Sequence, residues 1–297
     1  MHTIETADGA HIHSKAWGEG DPVVLIHGWP LSGDSWDPIS HALADAGYKA
    51  IAYDRRGFGR SSQPSGGYDY DTFADDLAAV LAHYDATENI TLVGFSMGGG
   101  EIARYMSRHQ GKGVSKVALI SSVVPYMLQD ESNPDGVPQA AFDEMTQGML
   151  EDRAKFFTGF FKDFYGVGLV SHPVSDEVLH LSWTTTMQAG LRPTLGAAKA
   201  FATTDFRPDL AHFKVPTLVI HGTADKTVPI DATAREVAKK VPGAVLIEYD
   251  GEAHGIFASQ TERLKNDLMA FIAGDNAPMS QDKLDYVTAK ALVNDPL

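Results

Sequence analysis

Strands that alternate with helices along most of 297 residues predict an α/β fold: a mostly parallel sheet of about eight strands with helices on both faces. Three observations carry that expectation. Short aliphatic, β-branched runs recur at VVLI (23–26), AIAY (50–53), ITLV (90–93), VALI (117–120), TLVI (217–220) and VLIE (245–248). Amphipathic helical patterns fill most of the gaps between them. In one gap, residues 124–208, strand signals vanish and a Phe- and Met-rich helical pattern takes over, which predicts a helical cap inserted into the core. The expected division is therefore 1–123 with 209–274 as the core, 124–208 as the cap, and 275–297 as an extension. In that extension Pro278 and Ser280 start a short helix with Leu284, Val287, Ala291 and Leu292 as its apolar stripe.

Composition narrows the function classes. With 43% hydrophobic and 21% charged residues the chain has ample material for a core. A net charge of −15 argues against nucleic acid or an anionic membrane surface as partner. The absence of cysteine removes disulfides, thiolate metal sites and a cysteine nucleophile, and leaves the redox compartment open. The polar opening MHTIETAD shows no basic-then-apolar leader, and no run approaches the length of a membrane span, so a cytoplasmic protein is expected.

Taken in order, residues 3–5 and 11–17 read as an opening hairpin around Asp8-Gly9. His11 and His13 alternate with Ile12 and, lacking a third ligand nearby, read as a solvated strand face rather than a metal site. The strand at 23–27 runs into Gly28-Trp29-Pro30. Pro30 has no N–H and biases Trp29 toward extended backbone, which fixes how the Trp29 amide points. After the strand at 48–53 comes DRRGFGRSS (54–62), a basic glycine-rich loop. It lacks the lysine and spacing of a phosphate loop and reads as a turn held by Asp54–Arg contacts. Residues 72–83 predict an amphipathic helix, and 115–121 a further strand. In the cap, Phe156, Phe157, Phe160, Phe161, Phe164 and Tyr165 fall at helical spacing. They are expected to form the insertion's core, with some lining a pocket. A strand at 216–222, a helix at 231–241, a strand at 244–249 and a helix ending at 272 complete the core.

Chemistry concentrates just past strand ends. In ITLVGFSMGGG (90–100) the strand stops at Gly94 and a helical pattern resumes over 101–109. The spacing Gly94-x-Ser96-x-Gly98 is that of a nucleophile elbow, which presents a serine on a strained strand-to-helix turn. Asp225 follows the strand ending at Gly222, and His254 follows the strand ending at Tyr249. In parallel sheets ligands bind beyond the carboxyl ends of strands, so these positions converge although distant in sequence. The order Ser96, Asp225, His254 is that of an α/β-hydrolase triad: His254 takes the proton of Ser96, and Asp225 fixes the tautomer of His254 and stabilises its cation. The amides of Trp29 and Met97 are the expected oxyanion donors. A serine rather than a carboxylate nucleophile points to acyl transfer on an ester, lactone, thioester or amide, or to a triad adapted to lyase chemistry. A lactonase, amidase or carbon–carbon hydrolase on the same triad, or a ligand sensor with a slow triad, are the competing readings.

Five stretches together resemble the cofactor-free bacterial haloperoxidase/arylesterase family of α/β-hydrolases, also called perhydrolases. They are HGWPL (27–31), YDRRGFGRSS (53–62), GFSMGGGEIARY (94–105), LVIHGTAD (218–225) and HGIF (254–257). The resemblance implies the triad Ser96, Asp225 and His254, no metal or haem, and a helical cap over a small acyl pocket. It implies a small ester or carboxylic acid as substrate, with hydrogen peroxide as a second co-substrate. The peracid so formed oxidises halide free in solution, and many members are homo-oligomers. Within this reading Pro30, Tyr126, Phe160, Phe164, Trp183, Val228 and Phe257 are the expected pocket residues. Pro30 resembles the peroxide-active members, where a fixed Trp29 carbonyl would accept a hydrogen bond from peroxide. Met97 departs from the threonine common at this position, and the extension beyond 274 departs from the usual chain end.

Overall fold

The computed structural model describes residues 2–274. Eight strands form one sheet in the order β1-β2-β4-β3-β5-β6-β7-β8. β1 (His2–Glu5), β2 (His11–Trp17) and β4 (Lys49–Tyr53) pair antiparallel as β1 with β2 and β2 with β4. All other neighbours are parallel: β3 (Pro22–Ile26), β5 (Ile90–Phe95), β6 (Val114–Ile120), β7 (Thr217–Gly222) and β8 (Val245–Tyr249). Every residue of β5 and β7 is buried. That is why their sequences are continuous apolar runs rather than alternating ones.

Helices α1 (Asp37–Asp45) and α9 (Thr261–Ala273) pack together, as do α2 (Tyr70–His83) and α3 (Met97–Arg108). Asp69 caps α2 by accepting a hydrogen bond from the Thr72 amide at 3.0 Å. α3 begins at Met97, four residues earlier than the sequence pattern suggests. The three glycines at 98–100, read as turn residues, instead form its first turn because close packing requires them. A Cβ on Gly98 would lie 2.5 Å from the Ile26 carbonyl oxygen, and one on Gly100 2.6 Å from the Phe206 ring. The helix expected over 231–241 is shorter, α7 (Ala234–Lys240), because Thr233 holds a non-helical backbone. The last expected helix is two, α8 (Ile256–Ser259) and α9, divided at Gln260.

Between β6 and β7 three helices form the cap: α4 (Gln139–Tyr165), α5 (Asp176–Gln188) and α6 (Leu191–Thr203). α4 is broken at Asp152, whose φ of −154° and ψ of 87° are not helical and whose carboxylate caps the second half through the Lys155 amide at 2.9 Å. The ends of the cap are tied together where the Phe206 amide donates to the Pro125 carbonyl at 2.8 Å. The short helix expected within 275–297 lies outside the described residues.

The basic loop after β4 turns its arginines inward. Asp54 accepts hydrogen bonds from the Gly33 and Arg60 amides, each at 2.8 Å, and pairs with the Arg60 guanidinium at 3.0 Å. Arg55 pairs with Glu101 of α3 at 2.7 Å, both side chains fully buried, and Arg56 pairs with Asp76 of α2 at 2.6 Å. Each guanidinium already faces carboxylate, so this loop is a structural hub rather than an anion seat. His11 is exposed on β2, while the His13 amide donates to the Ser61 hydroxyl at 2.8 Å and ties the strand to the same loop.

Candidate active site

The elbow is built by sterics. Ser96 sits at φ 53° and ψ −117°, a region that costs roughly 1–3 kcal/mol and is held only by its surroundings. Those surroundings are short. The Ser96 amide donates to the Ile120 carbonyl at 2.8 Å, and its carbonyl accepts from the Gly99 amide at 3.0 Å. A Cβ on Gly94 would lie 2.6 Å from the Gly98 carbonyl oxygen, so neither flanking glycine can carry a side chain without moving the turn.

Three strand-end loops then meet. The Ser96 hydroxyl donates to His254 Nε2 at 2.9 Å, and His254 Nδ1–H donates to Asp225 Oδ2 at 2.6 Å. Ser96, Asp225 and His254 are 5%, 7% and 1% exposed, so water does not dilute these bonds. Asp225 Oδ1 accepts from the Thr227 and Val228 amides at 2.9 and 2.8 Å. Burial pushes the Asp225 carboxyl upward, but the neighbouring His254 charge, the closeness of His221 and the hydrogen bond from His254 outweigh it. The net result holds the group well below the usual carboxylate range, ionised at working pH.

The loop after β3 lies against the serine: a Cβ on Gly28 would fall 2.9 Å from Ser96 Cβ. No acceptor takes the Trp29 amide among the described residues. Met97 opens α3, and no acceptor takes its amide among the described residues. A buried network holds the loop. His27 Nδ1–H donates to the Gly28 carbonyl at 2.9 Å, and its Nε2 accepts the Arg55 amide at 2.9 Å. Burial, and then the Arg55 charge, push His27 down to about 3, so the ring stays neutral. Arg55 also donates to the His27 carbonyl at 2.8 Å. Trp29 is pinned from the other side, its indole N–H donating to the Thr194 carbonyl of α6 at 3.0 Å. The Trp29–Pro30 peptide is cis.

Above Ser96 and His254 lies a cavity of about 660 Å³, within the range of small-molecule pockets. Its apolar walls include Val123, Phe142, Met145, Phe156, Phe160, Phe201 and Val228, and Glu144, Asp163 and Lys226 also line it. Of the seven expected pocket residues, Phe160 and Val228 line this cavity. The others do not. Phe164 packs edge-on against His254, ring centroids 4.8 Å apart, and is fully buried behind it. Phe257 packs on Phe95 and faces a separate groove beside Leu31 and Leu181. Trp183 donates to the Ala154 carbonyl on the far side of α4. Tyr126 lies under the Arg207 guanidinium at 4.6 Å. Pro30 is buried behind Trp29. Phe142 and Met145, missed in the sequence, stand three residues apart on the first half of α4. The break at Asp152 separates them from the aromatic stripe that drew notice.

Residues 21–260 match the family described as alpha/beta hydrolase fold. A non-heme chloroperoxidase of Kitasatospora aureofaciens is 42% identical over 278 residues, covering 92% of this chain and 99% of the relative. The chain belongs to the non-heme haloperoxidase and perhydrolase branch of the α/β hydrolases. A bifunctional esterase/perhydrolase of Acinetobacter calcoaceticus is 38% identical over the same share of this α/β hydrolase, 92%, and over 99% of its own length. The crystal structure of a bromoperoxidase from Bacillus anthracis superposes with a TM-score of 0.88 at 39% identity, covering 92% of this chain and 99% of that one. No helix of this α/β hydrolase is long and apolar enough to cross a membrane among the described residues.

Proposed function

We propose that this chain hydrolyses small or aryl carboxylic esters through an acyl-Ser96 intermediate, and that hydrogen peroxide replaces water in the second half-reaction. The observation that carries the reading is the continuous hydrogen-bonded line Ser96–His254–Asp225 at the floor of a largely apolar cavity. In the first half, Ser96 Oγ attacks the ester carbonyl while its proton passes to His254 Nε2. The carbonyl oxygen becomes an oxyanion facing the Trp29 and Met97 amides. Removing one such donor costs about 2.7–4 kcal/mol in comparable sites. The carbon–oxygen bond to the alcohol then breaks, and His254 returns its proton to the leaving oxygen. In the second half, water or peroxide adds to the acyl carbon, giving its proton to His254, which passes it to Ser96 Oγ as the acyl bond breaks. Water yields the acid and peroxide the peracid.

The relatives named for chloroperoxidase and for joint esterase and perhydrolase activity support the peroxide branch. The aromatic lining supports an acyl or aryl group rather than a charged one at the floor of the cavity. The test uses phenyl acetate with and without peroxide, following phenol release and peracid formation. Phenol release that disappears in Ser96→Ala, together with Ser96-dependent peracid, is expected. Phenol release without peracid rejects the peroxide branch, and no Ser96-dependent phenol rejects the ester reading.

A further inference from the structure

His221, the fifth residue of β7, is fully buried and points its ring at the acid of the triad. Its Nε2 lies 2.9 Å from the Val228 carbonyl oxygen and 3.2 Å from Asp225 Oδ2. Both neighbours are acceptors, so Nε2 carries the proton; it donates to the Val228 carbonyl and lies beside the carboxylate. Its Nδ1 is buried and meets no partner among the described residues. A second proton there would bury a charge with an unanswered N–H, so the geometry assigns the neutral, Nε2-protonated ring. That ring nitrogen therefore holds the loop whose Thr227 and Val228 amides grip the other carboxylate oxygen, and it sets its N–H dipole beside Oδ2.

We infer that His221 is a positioning residue of the reaction, a neutral donor that sets the orientation of Asp225 by holding the Val228 loop around it and lies beside the oxygen that takes the His254 bond. The inference rests on the proposed triad. Oδ2 takes the His254 Nδ1–H at 2.6 Å, with His221 Nε2 3.2 Å away. The N–H dipole of His221 offsets part of the charge that stabilises the His254 cation. The charged and titratable groups that face His221 are Asp225 in its own loop, His254 after β8, and Glu248, its register partner on β8. Glu248 is in turn paired with Arg235 of α7 at 2.8 Å.

The amide nitrogen of a glutamine reaches the place of a histidine Nε2, and that of an asparagine only the place of Nδ1. His221→Gln and His221→Asn therefore separate the donor from the residue's bulk. Four quantities are measured on the full chain: kcat and KM for phenyl acetate, the acid limb of kcat/KM, and the low-field proton resonance of the His254 Nδ1–H. His221→Gln is expected to keep kcat within about threefold and leave the limb and resonance in place. His221→Asn is expected to lower kcat about tenfold with KM within about twofold, shift the resonance, and move the acid limb to higher pH, because Asp225 then acts on His254 alone. An asparagine variant that changes only the melting temperature overturns the inference, as do glutamine and asparagine variants that lose activity equally. Should the wild-type protein fail to cleave the ester, the functional reading falls. The resonance still decides the role of His221, since an unchanged signal in His221→Asn rejects it.

Discussion

The core and the cap of this molecule contribute to the site in different ways. Every polar group proposed for the chemistry, Ser96, Asp225, His254 and the Trp29 and Met97 amides, comes from a loop just past a strand or from the start of α3. The cap supplies Phe142, Met145, Phe156, Phe160 and Phe201, which shape the cavity without touching the reacting bonds, and the charges of Glu144 and Asp163. A parallel sheet fixes where its strand ends point through its own hydrogen-bond ladder, so the catalytic geometry is backed by the most buried part of the fold. The cap is held to the core by side-chain packing and by scattered ties such as Trp29 Nε1 to the Thr194 carbonyl and the Gly255 amide to the Phe164 carbonyl. The core is thus expected to set the reaction and the cap to set what is accepted.

The largest effect should come from the core's acid. Asp225→Asn keeps the shape but presents an amide to His254, and kcat for phenyl acetate should fall roughly 10³–10⁴-fold with KM little altered, as steady-state kinetics will read. A drop below tenfold would break the division between the two regions.

Glu101→Gln probes the support beneath the oxyanion loop rather than the chemistry. It removes the partner of a fully buried Arg55 that also holds the His27 carbonyl. Breaking a buried pair this way costs about 3–5 kcal/mol, so denaturant unfolding should show a loss of that order. A stability within 1 kcal/mol, on the order of an exposed pair, would show that the network is ornamental.

The cap prediction is smaller and concerns selectivity. Phe160→Ala widens the cavity wall, and the ratio of kcat/KM for a hexanoyl over an acetyl ester should rise about tenfold while the acid limb stays put. An unchanged ratio would move the acyl group away from this wall.

The last effect is on acid stability. The folded value of His27, about 3, lies below its ordinary one, so the unfolded chain binds an extra proton as pH falls. Its contribution is intact above about pH 6.5 and is lost as pH falls toward 3, with a slope of at most about 1.4 kcal/mol per pH unit. Unfolding free energies from pH 7 to 4 should flatten in His27→Gln relative to the wild type.

The same division governs what could be read in the chain. The convergence of Ser96, Asp225 and His254 was legible because strand ends are local signals and a parallel sheet brings strand ends together. The start of α3 was not, because glycine marks turns in sequence, while here the glycines at 98–100 admit neighbouring chain and side chains. The cap pocket was less legible. Helical spacing groups Phe160 with Phe164 but does not show that Phe164 backs His254, nor that Trp183 on the next helix turns toward Ala154. His221 gave no signal, since a histidine inside an apolar strand looks like any core residue until the loop it holds is in view.

The central claim, that the strand-end loops of the core form a working acyl-transfer site, is most directly tested by trapping the nucleophile. The wild-type chain and His254→Ala would be incubated with a fluorophosphonate and the modified residue located by mass spectrometry. One adduct per chain on Ser96, formed rapidly in the wild type and at least about a hundredfold slower without His254, is the predicted result. An adduct elsewhere, none at all, or labelling of Ser96 at the same rate without His254 would contradict it.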